Sequence, residues 1–165
     1  SIMEIRELNN DDTTSFYECL KGLDLETKFM MFEPDERKWN GNLIEALSGN
    51  GENLLLGVFT DEKIIGFLSA KRGAYRRIRH IAYIVIGIRK DYHHRGIGTK
   101  LFKALDIRSD KNNITRLELT VEVPNTNAIG LYKKSGFSIE GIKKNAMLVD
   151  GRYVDEYMMA KIIVE

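Results

Sequence analysis

Residues 92–98, Tyr-His-His-Arg-Gly-Ile-Gly, bring two imidazoles, a guanidinium and two glycines into one short stretch, a combination suited to binding an anion. The stretch follows Ile81–Ile88, a run rich in β-branched residues that reads as a buried strand. After it, Ile97, Leu101, Ala104 and Leu105 recur at helical spacing. A helix opening there leaves its first amides without intrahelical partners and presents the positive end of its dipole. Gly96 and Gly98 keep side chains away, so that a phosphate can approach the backbone. An ordinary strand-to-helix turn has a similar composition, and residues 92–98 alone leave both readings open. Two other phosphate motifs do not fit. A dinucleotide fingerprint needs a third glycine where Leu101 stands and an acidic residue closing a second strand, whereas Glu118 lies within an apolar run. A P-loop ends Gly-Lys-Ser/Thr, and here Thr99 and Lys100 follow Gly98 in the opposite order.

A second segment narrows the choice. Leu119-Thr120-Val121 ends a strand, and residues 125–137 read Asn-Thr-Asn-Ala-Ile-Gly-Leu-Tyr-Lys-Lys-Ser-Gly-Phe. On these residues the chain resembles the GNAT N-acetyltransferase superfamily. That family's cofactor loop runs Gln/Arg-x-x-Gly-x-Gly/Ala, which residues 93–98 match except at His93. Its next motif, Val-x-x-x-Asn-x-x-Ala-Ile-x-Leu-Tyr-x-Lys-x-Gly-Phe, is matched by residues 121–137 at every named position. The order of elements agrees along nearly the whole chain. The resemblance implies an acetyl-CoA-dependent N-acetyltransferase working by direct attack in a ternary complex. It also implies an α+β fold, with a mixed, mostly antiparallel central sheet flanked by helices and splayed fourth and fifth strands.

Acetyl transfer from a thioester to an amine makes three demands. An ammonium with a pKa of about 10.4 must lose a proton, which costs roughly 4–5 kcal/mol at neutral pH. Charge developing on the carbonyl oxygen needs donors, and the departing thiolate gains from a proton. The resemblance gives that last role to Tyr132; by spacing alone Tyr132 also reads as a core residue beside Leu131 and Phe137. Asn125, after Pro124, reads as a helix N-cap, and the resemblance adds a bond to the pantetheine arm or an ordered water. It further implies that backbone groups of Ile86, Gly87 and Ile88 pair with the pantetheine amides as an added strand would. His93, His94, Arg95, Gly96, Ile97, Gly98 and Thr99 would surround the pyrophosphate, and Asn127 and Ala128 would face the cofactor. Lys100 and Lys134 would reach the adenosine 3′-phosphate, although solvated lysines are the plainer reading of both.

His93 departs from the family's Gln or Arg. A diphosphate beside it would favour the protonated imidazole, so that binding strengthens below pH 7. His93 and His94, adjacent in a turn, are poorly placed to chelate together, and no metal is expected. No general base stands out. Relatives often carry a glutamate in the fourth strand, where this chain has His80 and Tyr83; Glu33, Glu118 and Glu122 are further candidates. Deprotonation relayed through water is the working expectation.

Patterning supplies the scaffold. Residues 2–8 read as a strand, and Asn9-Asn10-Asp11-Asp12 cap a helix to about Leu23. Asp35–Leu47 reads as a second helix closed by Gly49. Residues 53–60 and 63–72 form a hairpin about Asp61-Glu62, and 78–88 a further strand. After the loop and its helix come a strand near 115–122, a helix from about 126 to 135, and strands near 137–146 and 151–162 joined at Asp150-Gly151. With 165 residues, 43% of them hydrophobic, residues 2–165 are expected to form one domain. The balance of 25 basic and 24 acidic residues provides no overall field to draw in nucleic acid or a membrane. Residues 71–79 are basic and read as a solvated turn. Cys19 stands alone, so no intrachain disulfide forms. No apolar run approaches the roughly 20 residues of a membrane span and no signal peptide is evident, so a cytoplasmic location is expected.

The acceptor side is less determined. Phe29, Met30, Met31, Phe32 and Trp39 read mostly as helical core, while Glu26, Glu33, Asp35 and Glu36 either attract a cationic amine or solvate a loop. A primary amine on a small molecule, such as a polyamine or an amino-acid-like compound, is the leading expectation. A protein N-terminus or lysine is the alternative, and a CoA-binding regulatory module without turnover is the alternative of another class. Terminal strands of this architecture often pair across subunits, which allows a homodimer.

Overall fold

The structure, a computed structural model, describes residues 2–163. Among these the strands are β1 (Met3–Glu7), β2 (Leu54–Thr60), β3 (Lys63–Arg72), β4 (Ile81–Ile88), β5 (Arg116–Glu122), β6 (Ser138–Val149) and β7 (Arg152–Ile162). The α-helices are α1 (Thr13–Glu26), α2 (Leu43–Ser48), α3 (Ile97–Lys111) and α4 (Thr126–Lys134). The strand order is β1-β2-β3-β4-β5-β7-β6, mostly antiparallel, with β4 and β5 parallel. This is the α+β architecture that the motifs implied. The described residues divide into two compact halves, residues 2–71 with 85–101 and residues 72–84 with 102–163.

In the first half, β1, β2 and β3 form an antiparallel meander, with Met3 opposite Thr60 and Leu54 opposite Ala70. Asp61 and Glu62 turn the hairpin at φ 51° and 63°, the paired positive values that a two-residue loop needs to match the strand twist. α1 lays Phe16, Cys19, Leu20 and Leu23 against Leu55, Phe59, Ile64 and Phe67. Each such large side chain contributes about 1.5–3 kcal/mol by leaving water. Ahead of α1, the Asn9 side chain accepts the Asp11 amide at 2.9 Å, and the Asp12 carboxylate accepts the Asn9 amide and the Arg6 guanidinium. The helix continues to Glu26, past the expected end at Leu23.

The helix expected over Asp35–Leu47 does not form; only Leu43–Ser48 is helical. Pro34, Asn40, Gly41 and Asn42 oppose a helix there. Side chains fasten residues 27–42 instead. Arg37 bonds the buried Asp24 carboxylate at 2.5 and 3.0 Å and lies 4.5 Å from the Phe32 ring, while Trp39 meets Tyr17 edge-on at 5.2 Å. Phe29, Met31, Phe32 and Trp39 are therefore exposed and not helical core as their pattern suggested.

In the second half, Leu117, Leu119 and Val121 of β5 alternate into the core. β5 runs antiparallel to β7 from Arg116–Ile162 to Glu122–Glu156. The β6–β7 hairpin turns on Asp150 and Gly151 at φ 52° and 76°, the same turn chemistry as at 61–62. β6 lies at the sheet edge, and its pairing slips between Ile139 and Gly141 and again between Lys143 and Met147. At the second slip Asn145 takes φ 51°, held by Asp155, which accepts from the Asn145 amide at 2.9 Å and from Lys144 at 3.2 Å. β4 starts at Ile81 and not at Ile78, because Arg76–Ile78 form a 3-10 turn.

Candidate active site

β4 and β5 pair only where Ile81–Tyr83 lie beside Arg116–Glu118. Residues 84–88 continue without a β5 ladder. Ile86, Gly87 and Ile88 are half-buried on this stretch. Gly87 is required sterically: a Cβ there would stand 2.9 Å from both Leu23 and Phe67. The Arg89 amide bonds the Ile65 carbonyl at 2.8 Å and closes β4 against β3.

The basic loop is anchored at its root. Glu26, the last residue of α1, accepts from Arg89 at 2.9 and 3.3 Å and from the Lys90 amide at 3.2 Å. Burial disfavours the Glu26 charge, but the Arg89 and Lys90 hydrogen bonds outweigh it and hold the carboxyl below its usual range. His93, His94, Arg95 and Gly96 are exposed, while Ile97 and Gly98 turn inward as α3 begins. His94 and Gly96 adopt φ 62° and 76°, and a Cβ on Gly96 would meet nothing within 4 Å. The Lys100 amide bonds the Gly96 carbonyl at 3.1 Å and makes the first helical turn. The amides of Ile97, Gly98 and Thr99 precede it and have no acceptor within the helix. No acidic residue sits in that first turn, so the positive end of α3 faces an uncrowded, basic loop. This arrangement suits a phosphate anion.

His93 has a role that its spacing did not announce. Its Nε2–H donates to the Ile88 carbonyl at 2.8 Å and latches the loop to the end of β4. Because a carbonyl only accepts, Nε2 carries the proton.

In the second half, Asn125 caps α4: its side-chain oxygen accepts the Ala128 amide at 3.4 Å and its carbonyl accepts the Ile129 amide at 3.1 Å. The carboxamide NH2 remains as a donor. Asn127 and Lys134 are exposed and Ala128 is half-buried. Tyr132 is 8% exposed, its ring edge-on to Phe102 at 5.9 Å and tilted against Phe137 at 6.1 Å. None of these contacts uses its hydroxyl. Burial, with a lesser contribution from Tyr83, pushes the phenol above its usual range, so it holds its proton at neutral pH. Tyr83 is hydrogen-bonded to Thr120 at 2.7 Å.

The candidates for a base separate clearly. His80 lies exposed in the turn before β4, with its carbonyl accepting the Thr115 and Arg116 amides. Glu33 is exposed in the 27–42 segment. Glu118 is paired with Arg116 at 2.8 Å, and Arg116 also holds Glu140. Glu122 is 5% exposed, and its Oε2 has no hydrogen-bond partner among the described residues.

Among known proteins, the profile of the acetyltransferase (GNAT) family matches residues 4–137. A stretch of 103 residues, 62% of this chain, is 36% identical to the L-amino acid N-acetyltransferase AaaT of Escherichia coli (strain K12) and spans 64% of that relative. A stretch of 80 residues, 46% of the chain, is 34% identical to the spermidine N(1)-acetyltransferase of the same organism and spans 43% of it. The crystal structure of an acetyltransferase of the GNAT family from Streptococcus pneumoniae superimposes with a TM-score of 0.91 at 28% identity, over 99% of this chain and 100% of that one.

Proposed function

Because the chain belongs to the acetyltransferase (GNAT) family, we propose that it transfers the acetyl group of acetyl-CoA to a primary amine of a small molecule, by direct attack within a ternary complex. The observation that carries this reading is the state of Tyr132 within a fully matched motif. Its ring is packed, its hydroxyl is not used by that packing, and it keeps its proton at neutral pH. Such a phenol can protonate a leaving thiolate. Acetyl-CoA, when bound, supplies the activated acyl group. The residues present fit its phosphates, because Gly96 leaves the approach open and the amides of Ile97, Gly98 and Thr99 point out of α3. His94 and Arg95 add exposed donors, His93 shapes the loop through Ile88, and Lys100 and Lys134 serve the 3′-phosphate. Backbone groups of Ile86, Gly87 and Ile88, and the Asn125 carboxamide beside Asn127 and Ala128, serve the pantetheine arm.

For the acceptor, the relatives named for L-amino acids and spermidine support a small amine. The exposed Phe29, Met31, Phe32 and Trp39 favour a second reading, a peptide N-terminus or lysine. A cytoplasmic homodimer completes the proposal; among the described residues no helix is long and apolar enough to cross a membrane. Thermal unfolding with acetyl-CoA, against NADH and ATP as controls, tests the cofactor. At 100 times the dissociation constant, binding adds about 2.7 kcal/mol of stability. Thiol release with amino acids, polyamines and peptides then tests the acceptor. A selective shift without turnover on any amine would favour the regulatory module, and no shift at saturation would remove the assignment of residues 86–100.

A further inference from the structure

Glu122 is a buried carboxylate that the fold does not neutralise. It ends β5, and its carbonyl accepts the Asn125 amide at 2.9 Å in the turn that starts α4, the helix carrying Tyr132. Its register partner on β7 is Glu156, which is half-buried. Cross-strand partners share a face, with Cβ atoms about 4.5–5.5 Å apart, and like charges so placed repel. The row continues to Lys143 on β6, an exposed side chain, and the same face of β5 holds Thr120, bonded to Tyr83 of β4. These are the charged and titratable groups facing Glu122 from the strands that pack against it. Asp155, the neighbour of Glu156, is already engaged by Asn145 and Lys144.

A carboxylate on a residue nineteen-twentieths buried, with one oxygen unpartnered, is costly to keep, and a leucine or a glutamine would be cheaper. Glu122 shares its face with the hydroxyls of Thr120 and Tyr83, and its carbonyl fastens the turn that opens α4, the helix carrying Tyr132. We propose that Glu122 is the group that takes the proton from the acceptor's ammonium, with Glu156 opposite it on β7. This rests on the acetyltransferase reading above. In the step, one N–H bond of the ammonium breaks and one O–H bond forms at the Glu122 carboxylate. The carboxyl then returns that proton to water, so one proton is released per amide formed. Burial first, and Glu156 second, raise the Glu122 pKa above the usual carboxylate range, which narrows the gap to the amine it must deprotonate.

The test is Glu122→Gln, which keeps the shape and removes the base. Wild type and variant are compared for acetyl-CoA-induced thermal shift and for thiol release with the best amine of the panel across pH 5–9. Expected for the variant are an unchanged or higher unfolding temperature, an undiminished acetyl-CoA shift, and a turnover lower by about 10²–10⁴-fold. The pH profile changes as well. In the wild type, turnover falls as pH drops through the raised Glu122 pKa. In the variant that limb is replaced by a rate that climbs about tenfold per pH unit with the free amine. Glu156→Gln removes the repelling neighbour, lowers the Glu122 pKa and moves the acid limb to lower pH. A Glu122→Gln variant that turns over within a few-fold of wild type on the same profile overturns the proposal and leaves the acetyltransferase reading intact. A wild type that binds acetyl-CoA yet acetylates no amine overturns that reading, and Glu122's role with it.

Discussion

Asp24→Asn tests what holds residues 27–42 in place. Asp24 is 3% exposed, and its carboxylate receives two guanidinium bonds from Arg37, at 2.5 and 3.0 Å. Asparagine preserves the shape but leaves the Arg37 cation without a counter-ion on a side chain that is 11% exposed. Removing one partner of such a pair costs about 3–5 kcal/mol. For 165 residues the unfolding entropy is about 0.35 kcal/mol/K, so the midpoint should fall by about 9–14 °C at pH 7. Calorimetry measures this directly, and tryptic cleavage after Lys28, Arg37 and Lys38 should accelerate in parallel. Adding Arg37→Met removes the orphaned cation, and most of the loss should return; the double-mutant cycle then isolates the pair. A fall of less than about 3 °C in the single variant would refute the reasoning, since it would mean that Arg37 is solvated and that Phe32 and Trp39 hold the segment.

Tyr132→Phe keeps the packing on Phe102 and Phe137 and removes only the hydroxyl; turnover should drop by about 10²–10⁴-fold, with the unfolding temperature and the acetyl-CoA shift preserved. Gly87→Ala forces a methyl group against Leu23 and Phe67, an overpacking worth about 1–3 kcal/mol that calorimetry should register as a lower midpoint. Arg6, by its hydrogen bonds, holds the Asp12 carboxyl below its usual range against the effect of burial. A depressed carboxylate contributes stability above its unfolded pKa and loses it as pH falls through the folded one. Arg6→Met should therefore be less stable than wild type at pH 7, and denaturant titrations should show the gap closing below about pH 4.

Where local chemistry decides the backbone, the sequence could be read. Asp150-Gly151 turns its hairpin because both residues accept positive φ, and Asp61-Glu62 takes the same conformation between its strands. Asn125 caps α4 as its place after Pro124 predicted, and the strand expected near 115–122 is β5. Residues 27–42 were misread because their apolar and charged side chains fit a helical spacing, whereas the decisive forces are single tertiary contacts such as Arg37 to Asp24. The His93 latch depends on where the loop returns to the Ile88 carbonyl, which no spacing rule encodes. Glu122 was one acidic residue among several until the β5–β7 register set it opposite Glu156 and left its Oε2 unpartnered.

The outer strand of the sheet carries a consequence for life at high concentration. β6 offers a 12-residue backbone at an open margin, long enough to recruit a strand from another molecule and begin an ordered aggregate. Its two slips interrupt the row of outward amides and carbonyls, and Lys143 and Lys144 place charge at the second one. Asp155 pins that kink, so the interruption does not anneal into a straight ladder. A stranger strand finds a few residues of register and then a mismatch. Tying the kink down with Asp155 thus confines any pairing along this margin, a second copy's strand included, to the short registers on either side of it.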